Sequence, residues 1–379
     1  MSQRAAHSRV AVPFMDLRPM HDGLKARLLA EISDLVDAGS FTNGPQVAEL
    51  ERAFATYCGT ADCVGLASGL DALRLALLAV GVERGDEVIA PANTFIATLE
   101  AVSQAGATPV PVDVTLGDYN IDVAAAEAAV GGRTRFLLPV HLYGQLADVV
   151  SLRAVAERTG VMLLEDACQA HGAERDGIRA GAAGHAAAFS FYPAKNLGAM
   201  GDAGALVTDD LELSGRIRAL REHGQRAKYR HDWTGYTARL DTIQALVLLH
   251  KLPLLDDWNE QRRQVARFYG QALAGVGDLT LPPVPEGSDP VWHLYVVRTE
   301  SPERLAGFLA ERGVGSGRHY PEPVHLSAAY ADLGYRAGAF PVTEALAGET
   351  LSLPIFPGMS EEQLDAVADA VRAYFADGG

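Results

Sequence analysis

The run Val161-Met162-Leu163-Leu164-Glu165-Asp166 decides how the rest of the chain is read: four apolar residues end abruptly in two carboxylates. A short apolar run of this kind reads as a strand, and in an open α/β sheet ligands lie beyond the carboxyl ends of the strands. Outward from it stand six more strand candidates, at residues 63–66, 87–90, 108–112, 136–140, 187–190 and 205–208. Between them lie alanine-rich segments, 72–80, 98–105, 124–130 and 152–158, whose apolar residues recur at three and four, as on one face of a helix. Such alternation predicts an α/β fold with a mostly parallel seven-stranded sheet and right-handed crossovers.

After Leu240 the alternation stops. A helical stretch at 244–250 is interrupted by Pro253 and resumes at 258–273, and the domain boundary is placed here. The expected organisation is a large ligand-binding α/β domain, 1–250, and a small C-terminal α+β domain, 251–379. The second offers a strand at 292–297, a helix at 302–312 and a closing helix whose start is marked by a capping box of Ser360 and Gln363. No internal repeat or low-complexity tract is present.

The composition bounds the function classes. Of 379 residues 48% are hydrophobic and 21% charged, enough for a large core. The 32 basic and 48 acidic side chains leave a net charge of −16, which argues against nucleic acid as a partner. An anionic ligand then needs a local basic cluster, and 221–230 supplies one: Arg221, Arg226, Lys228 and Arg230, beside His223 and His231. The plain alternative is a solvated loop. Neither an export signal nor a bilayer-length apolar stretch is found, so no membrane is expected and a cytoplasmic location is. Cys58, Cys63 and Cys168 form no C-x-x-C pair and indicate no disulfide framework. Cys168 and His171 lack a second ligand pair, so they read as packed core and no metal is expected.

The fingerprints of dinucleotide, nucleoside triphosphate, zinc protease and α/β-hydrolase chemistry are missing. Four other pieces stand at successive strand ends. Ser68-Gly69-Leu70-Asp71 offers free backbone N–H groups at a helix start, suited to a phosphate dianion, although Ser68 could equally be a plain cap. Pro91-Ala92-Asn93-Thr94-Phe95 offers an aromatic ring to stack on a flat molecule. Asp166 could pair with a pyridinium nitrogen and keep it protonated, or merely cap the next helix. In Ser190-Phe191-Tyr192-Pro193-Ala194-Lys195-Asn196-Leu197-Gly198 a hydroxyl residue is followed by a lone lysine in an uncharged stretch. Its amine should be poorly hydrated and nucleophilic. Together the four suit pyridoxal 5'-phosphate.

At this point the chain resembles the DegT/DnrJ/EryC1/StrS family of sugar aminotransferases over nearly its whole length. The match runs from Val12-Pro13-Phe14-Met15-Asp16-Leu17, through His141-Leu142-Tyr143-Gly144-Gln145, to Leu351-Ser352-Leu353-Pro354. Its most specific signatures are Glu165-Asp166-Ala167-Cys168-Gln169-Ala170-His171-Gly172 and the Lys195 segment. The resemblance implies a fold-type I enzyme, a homodimer with sites at the subunit interface, and L-glutamate as amino donor. It also implies roles: Lys195 joins the cofactor's aldehyde, Asp166 holds the ring nitrogen and Gln169 lies near the phenolic oxygen. Ser190 and Ser68-Gly69-Leu70 bind the phosphate, and Phe95 stacks on the ring. Some relatives carry histidine instead of the lysine and are dehydratases, a branch that Lys195 excludes.

Two departures stand out: Thr237, where the family has Asn reaching the partner subunit's cofactor phosphate, and Ala194, where glycine is common. Leu70 in place of threonine resembles enzymes that aminate C3 of a dTDP-linked 6-deoxyhexose. The expected acceptor is therefore a dTDP-3-keto-6-deoxyhexose, with a 4-keto nucleotide sugar or an inosose as the alternatives. Lys228, Tyr229, Arg230, His319, Tyr320 and His325 are the candidates for anchoring its diphosphate. Outside the enzyme class, the alternative is a non-catalytic regulatory protein that binds the cofactor.

Overall fold

The computed structural model describes residues 11–376 and 378; the outer ends of the two expected domains, residues 1–10, 377 and 379, lie outside the described residues. All seven expected strands pair into one sheet. They are β1 (Asp62–Leu66), β2 (Glu87–Pro91), β3 (Thr108–Val112), β4 (Thr134–Leu137), β5 (Met162–Asp166), β6 (Ala186–Ser190) and β7 (Gly204–Thr208), in the spatial order β1-β7-β6-β5-β4-β2-β3. β7 runs antiparallel to both its neighbours and the other six point the same way, so six strands deliver their carboxyl ends, and β7 its start, to one edge. The site stands on that edge.

The helical readings fall on Gly69–Ala79, Ala97–Gln104, Val123–Ala128 and Val149–Thr159. Two cores flank the sheet: Leu73, Leu77 and Leu99 pack on one face, and Phe54, Phe189 and Leu248 on the other. One strand reading is too long. β4 stops at Leu137, before Pro139, which has no N–H to give to a ladder. The chain nevertheless keeps its course, because Asp166 N–H donates to Pro139 O at 2.9 Å and His141 N–H to Asp166 O at 3.0 Å. Two helices ahead of the sheet, Lys25–Ala38 and Pro45–Cys58, were not read from the sequence. Each ends on a glycine with positive φ, Gly39 at 63° and Gly59 at 74°, a stop signal legible in hindsight.

Beyond Lys251 a second core forms. Helix Leu255–Ala272 joins the two: Leu255 belongs to the sheet's core, while Val265, Ala266 and Tyr269 pack with Leu305, Leu309, Val367 and Val371. β8 (Tyr295–Arg298) and β9 (Thr350–Leu353) pair antiparallel inside it. The closing helix Glu361–Ala376 starts on its box, with Gln363 N–H donating to Ser360 Oγ at 3.3 Å and Ser360 N–H to Gln363 Oε1 at 3.1 Å. We propose that the division at 250/251 is one between these cores, with Val12 joining the second from the far end of the chain. A smaller cluster, including Tyr143, Leu294 and Val296 with Phe14 and Tyr320 against it, ties the sheet edge to this part. Among the described residues no helix is long and apolar enough to cross a membrane.

Candidate active site

Adjacent residues of a strand face opposite sides, and that alone separates Glu165 from Asp166. Glu165 turns into the protein. It is fully buried, bound by His141 Nε2 at 2.8 Å and by the N–H groups of Gly181, Ala183 and Gly184 at 3.0, 2.9 and 2.7 Å. Burial pushes its pKa up, but His141 and those N–H donors outweigh burial and hold it below the ordinary value. Asp166 turns the other way, towards the site. Thr98 Oγ1 donates to its Oδ2 at 2.8 Å, Cys168 N–H reaches its Oδ1 at 3.2 Å, and Thr94 holds Thr98 at 2.7 Å. Thr94 and Thr98 were not foreseen; Thr94 follows β2, one strand beyond β4 in the sheet, and Thr98 lies in the first turn of helix Ala97–Gln104.

Lys195 rises from the loop between β6 and β7. Its Nζ has no hydrogen-bond or ion-pair partner among the described residues. Burial lowers its pKa, and the proximity of Cys168 and Asp166 draws it partly back. The loop is held from below. Asn196 Nδ2 donates to Asn259 Oδ1 at 2.8 Å and Val291 O at 2.9 Å, and Lys251 Nζ donates to Gly198 O at 2.7 Å. His171 packs against Phe189 and Phe191, and burial, with the Lys195 charge, lowers its pKa to about 3. It is thus a neutral core ring. Among the described residues no group of His, Cys, Asp and Glu is placed to hold a metal ion.

The lysine that braces this loop gives a test of its own. Lys251 is 1% exposed, contacts His21 Nε2 at 3.0 Å, and burial lowers its pKa to about 8. An unfolded lysine titrates near 10.4. Between about pH 8 and 10.4 the unfolded chain therefore holds a proton that the folded chain has released, and stability rises with pH across that window. The full effect is on the order of 3 kcal/mol. Thermal unfolding of wild type and Lys251→Met should show the wild type gaining on the variant from pH 8 to 10.4; a constant gap would refute the assignment.

Ser68 is a helix cap. Its Oγ accepts from Asp71 N–H at 3.0 Å and caps helix Gly69–Ala79, which leaves the N–H groups of Gly69 and Leu70 as the free donors. The turn fits tightly against its neighbours: a Cβ at Gly69 would stand 2.5 Å from Cys168 Sγ and 2.9 Å from Ser190 Cβ, and one at Gly204 would collide with the Ser68 backbone. Ser190 Oγ accepts from Tyr192 N–H at 3.3 Å and keeps its proton to donate. A backbone cradle with a hydroxyl beside it, a carboxylate and an unpaired amine is a donor set that fits pyridoxal phosphate.

The residues opposite come from the smaller cluster at the sheet edge. Tyr143 N–H donates to Gln169 Oε1 at 2.7 Å, and Gln169 Nε2 donates to the Tyr320 hydroxyl at 3.1 Å. The Tyr320 ring stands 5.5 Å from that of Phe95, which is 51% exposed. His319 stacks on Phe14 at 5.5 Å and meets Ser352 Oγ at 2.8 Å; burial and the Lys195 charge lower its pKa to about 4, so its ring is neutral. The remaining candidates lie elsewhere. Lys228, Tyr229 and Arg230 occupy an exposed hairpin, with Arg230 3.4 Å from Asp232. Thr237 is exposed and 3.2 Å from His223 Nε2. His325 is buried against Phe340, with Nε2 3.2 Å from Glu344, so it is a packing residue with no face for a diphosphate.

Residues 23–372 match the family model described as the DegT/DnrJ/EryC1/StrS aminotransferase family. The chain belongs to this family. Among DegT/DnrJ/EryC1/StrS relatives, the erythromycin biosynthesis sensory transduction protein EryC1 of Saccharopolyspora erythraea is 49% identical, over 96% of this chain and 99% of its own. The dTDP-3-amino-3,4,6-trideoxy-α-D-glucose transaminase of Streptomyces venezuelae is 48% identical, over 99% and 98%. The crystal structure of S. venezuelae DesV with a ketimine intermediate superposes with a TM-score of 0.94, at 48% identity over 96% of this chain and 98% of that one. The protein is an aminotransferase of the fold that these enzymes share, and the family is of the pyridoxal-phosphate type.

Proposed function

We propose that the protein transfers an amino group from L-glutamate to a nucleotide-linked keto sugar, a dTDP-3-keto-6-deoxyhexose, with Lys195 and Asp166 as its catalytic residues. The observation that carries this is the unpaired Lys195 amine on the same strand edge as Asp166 and the Gly69 cradle. When bound, pyridoxal phosphate supplies an electrophilic aldehyde and a protonated ring that draws electrons from the substrate carbon. The Gly69 and Leu70 N–H groups and the Ser190 hydroxyl would hold its phosphate, Asp166 its ring nitrogen, and Phe95 its face. Lys195 Nζ would hold the aldehyde carbon and, when free, would take a proton at the donor's α-carbon and return it.

Lys228 and Arg230 would supply the local positive charge that a diphosphate needs in a chain of net charge −16, with the Tyr229 hydroxyl as a neutral donor beside them. His319 and Tyr320 would line the sugar. Thr237 would reach the cofactor phosphate of a partner subunit in a homodimer. Support for the acceptor comes from the S. venezuelae relative, whose product is a 3-amino dTDP sugar.

A screen of keto-sugar nucleotides and inososes with glutamate, read by mass, tests the acceptor. The 3-keto-6-deoxyhexose should be turned over faster than its 4-keto isomer, and comparable rates on an inosose, which has no diphosphate, would overturn the assignment. The name of the Saccharopolyspora relative keeps a regulatory, non-catalytic reading in view. Bleaching of the cofactor's absorbance by glutamate separates the two.

A further inference from the structure

The two hydrogen bonds at Gln169 fix more than its own position. A backbone N–H can only donate, so the Gln169 atom facing Tyr143 is the acceptor Oε1, and the amide nitrogen must face Tyr320. That nitrogen also can only donate. The Tyr320 oxygen is therefore used as an acceptor, and its own proton points elsewhere; among the described residues no acceptor takes it. Burial raises the Tyr320 pKa to about 12, so the proton stays in place at neutral pH.

Tyr143 also restrains the chain that carries Tyr320, because its hydroxyl donates to the carbonyl of His319. It is a buried residue with a left-handed φ of 60°, held among Val140, Leu142 and Leu294. Its backbone N–H and its hydroxyl thus both bear on Tyr320, one through the Gln169 amide and one through the His319 carbonyl, while its own carbonyl accepts from Leu294 N–H at 3.2 Å. We propose that Tyr143, without touching ligand, is a positioning residue that aims the Tyr320 hydroxyl proton at an oxygen of the bound sugar. The inference rests on the aminotransferase reading above. The Tyr320 and Phe95 rings form an apolar wall carrying a single neutral donor, which suits a deoxy sugar with its C–H faces and carbonyl or hydroxyl oxygens. It suits glutamate poorly, since two carboxylates call for cations.

Tyr143→Phe keeps the ring and the backbone N–H and removes the hydroxyl, with its contacts to the His319 carbonyl and the Asn93 side chain. On the cofactor-loaded enzyme the two half-reactions are followed separately by absorbance, with glutamate and with whichever dTDP-keto-6-deoxyhexose isomer the wild type accepts. The KM for the sugar nucleotide should rise about tenfold, the loss of one aligned hydrogen bond, while the glutamate half-reaction stays within about twofold. In a Tyr320→Phe background the same substitution should add less than about twofold, since its effect passes through the Tyr320 hydroxyl. Equal losses in both half-reactions, an undiminished effect in the Tyr320→Phe background, or no effect on the sugar would overturn the proposal alone. A wild type inert to glutamate would overturn it together with the aminotransferase reading.

Discussion

Lys195→Ala should still take up the cofactor but turn over roughly four or more orders of magnitude more slowly than the wild type. The phosphate cradle at Gly69 and Ser190 and the Asp166 carboxylate stand on strand ends that this substitution does not touch, so binding is retained. What disappears is the one amine that can both join the aldehyde and shuttle the proton. No nearby group replaces it. Lys251 is buried on the Gly198 carbonyl and His21, and Lys228 sits on an exposed hairpin. Borohydride reduction of the loaded wild type, followed by peptide mapping, should find the cofactor on Lys195. Label on Lys251 or Lys228, or an alanine variant of undiminished activity, would refute the assignment.

Glu165 and Asp166 adjoin in sequence and should fail in opposite ways. Glu165→Ala leaves His141 and three inward backbone N–H groups without their acceptor in a site with no exposure. Such a loss costs roughly 3 to 5 kcal/mol and lowers Tm by roughly 5 °C. Asp166→Asn is isosteric and should unfold near the wild-type temperature, yet lose on the order of 10²- to 10³-fold in turnover as the ring nitrogen loses its charge partner. Calorimetry beside steady-state rates decides this. A Glu165→Ala protein as stable as wild type would show that its four donors find other acceptors.

The sheet was legible because each strand is a short apolar run bounded by turn residues, and that information is local. The lysine loop was legible for the same reason, with one cation in an uncharged stretch. What the sequence hid is what depends on residues far apart along it. Thr98 meets Asp166 across 68 positions and Tyr143 meets His319 across 176, and neither residue type announces such a partner. The same gap separates the candidates of the second domain: His319, Tyr320 and His325 lie within seven positions of one another, yet Tyr320 stands against Phe95 and His319 against Phe14, while His325 is packed against Phe340 and Glu344. Glu165 and Asp166 adjoin in sequence, and only strand alternation turns Glu165 inward.

The antiparallel course of β7 has a consequence for how such an enzyme changes its substrate. Ser190 pairs with Gly204, so the segment carrying Lys195 is closed at both ends by its own ladder. It is a module of low contact order that can assemble early and keep its shape whatever happens elsewhere. Phe95 and Tyr320, by contrast, stand 100 positions before Lys195 and 125 after it. A substitution at Phe95 or Tyr320 should therefore change substrate choice while the Lys195 segment keeps its fold.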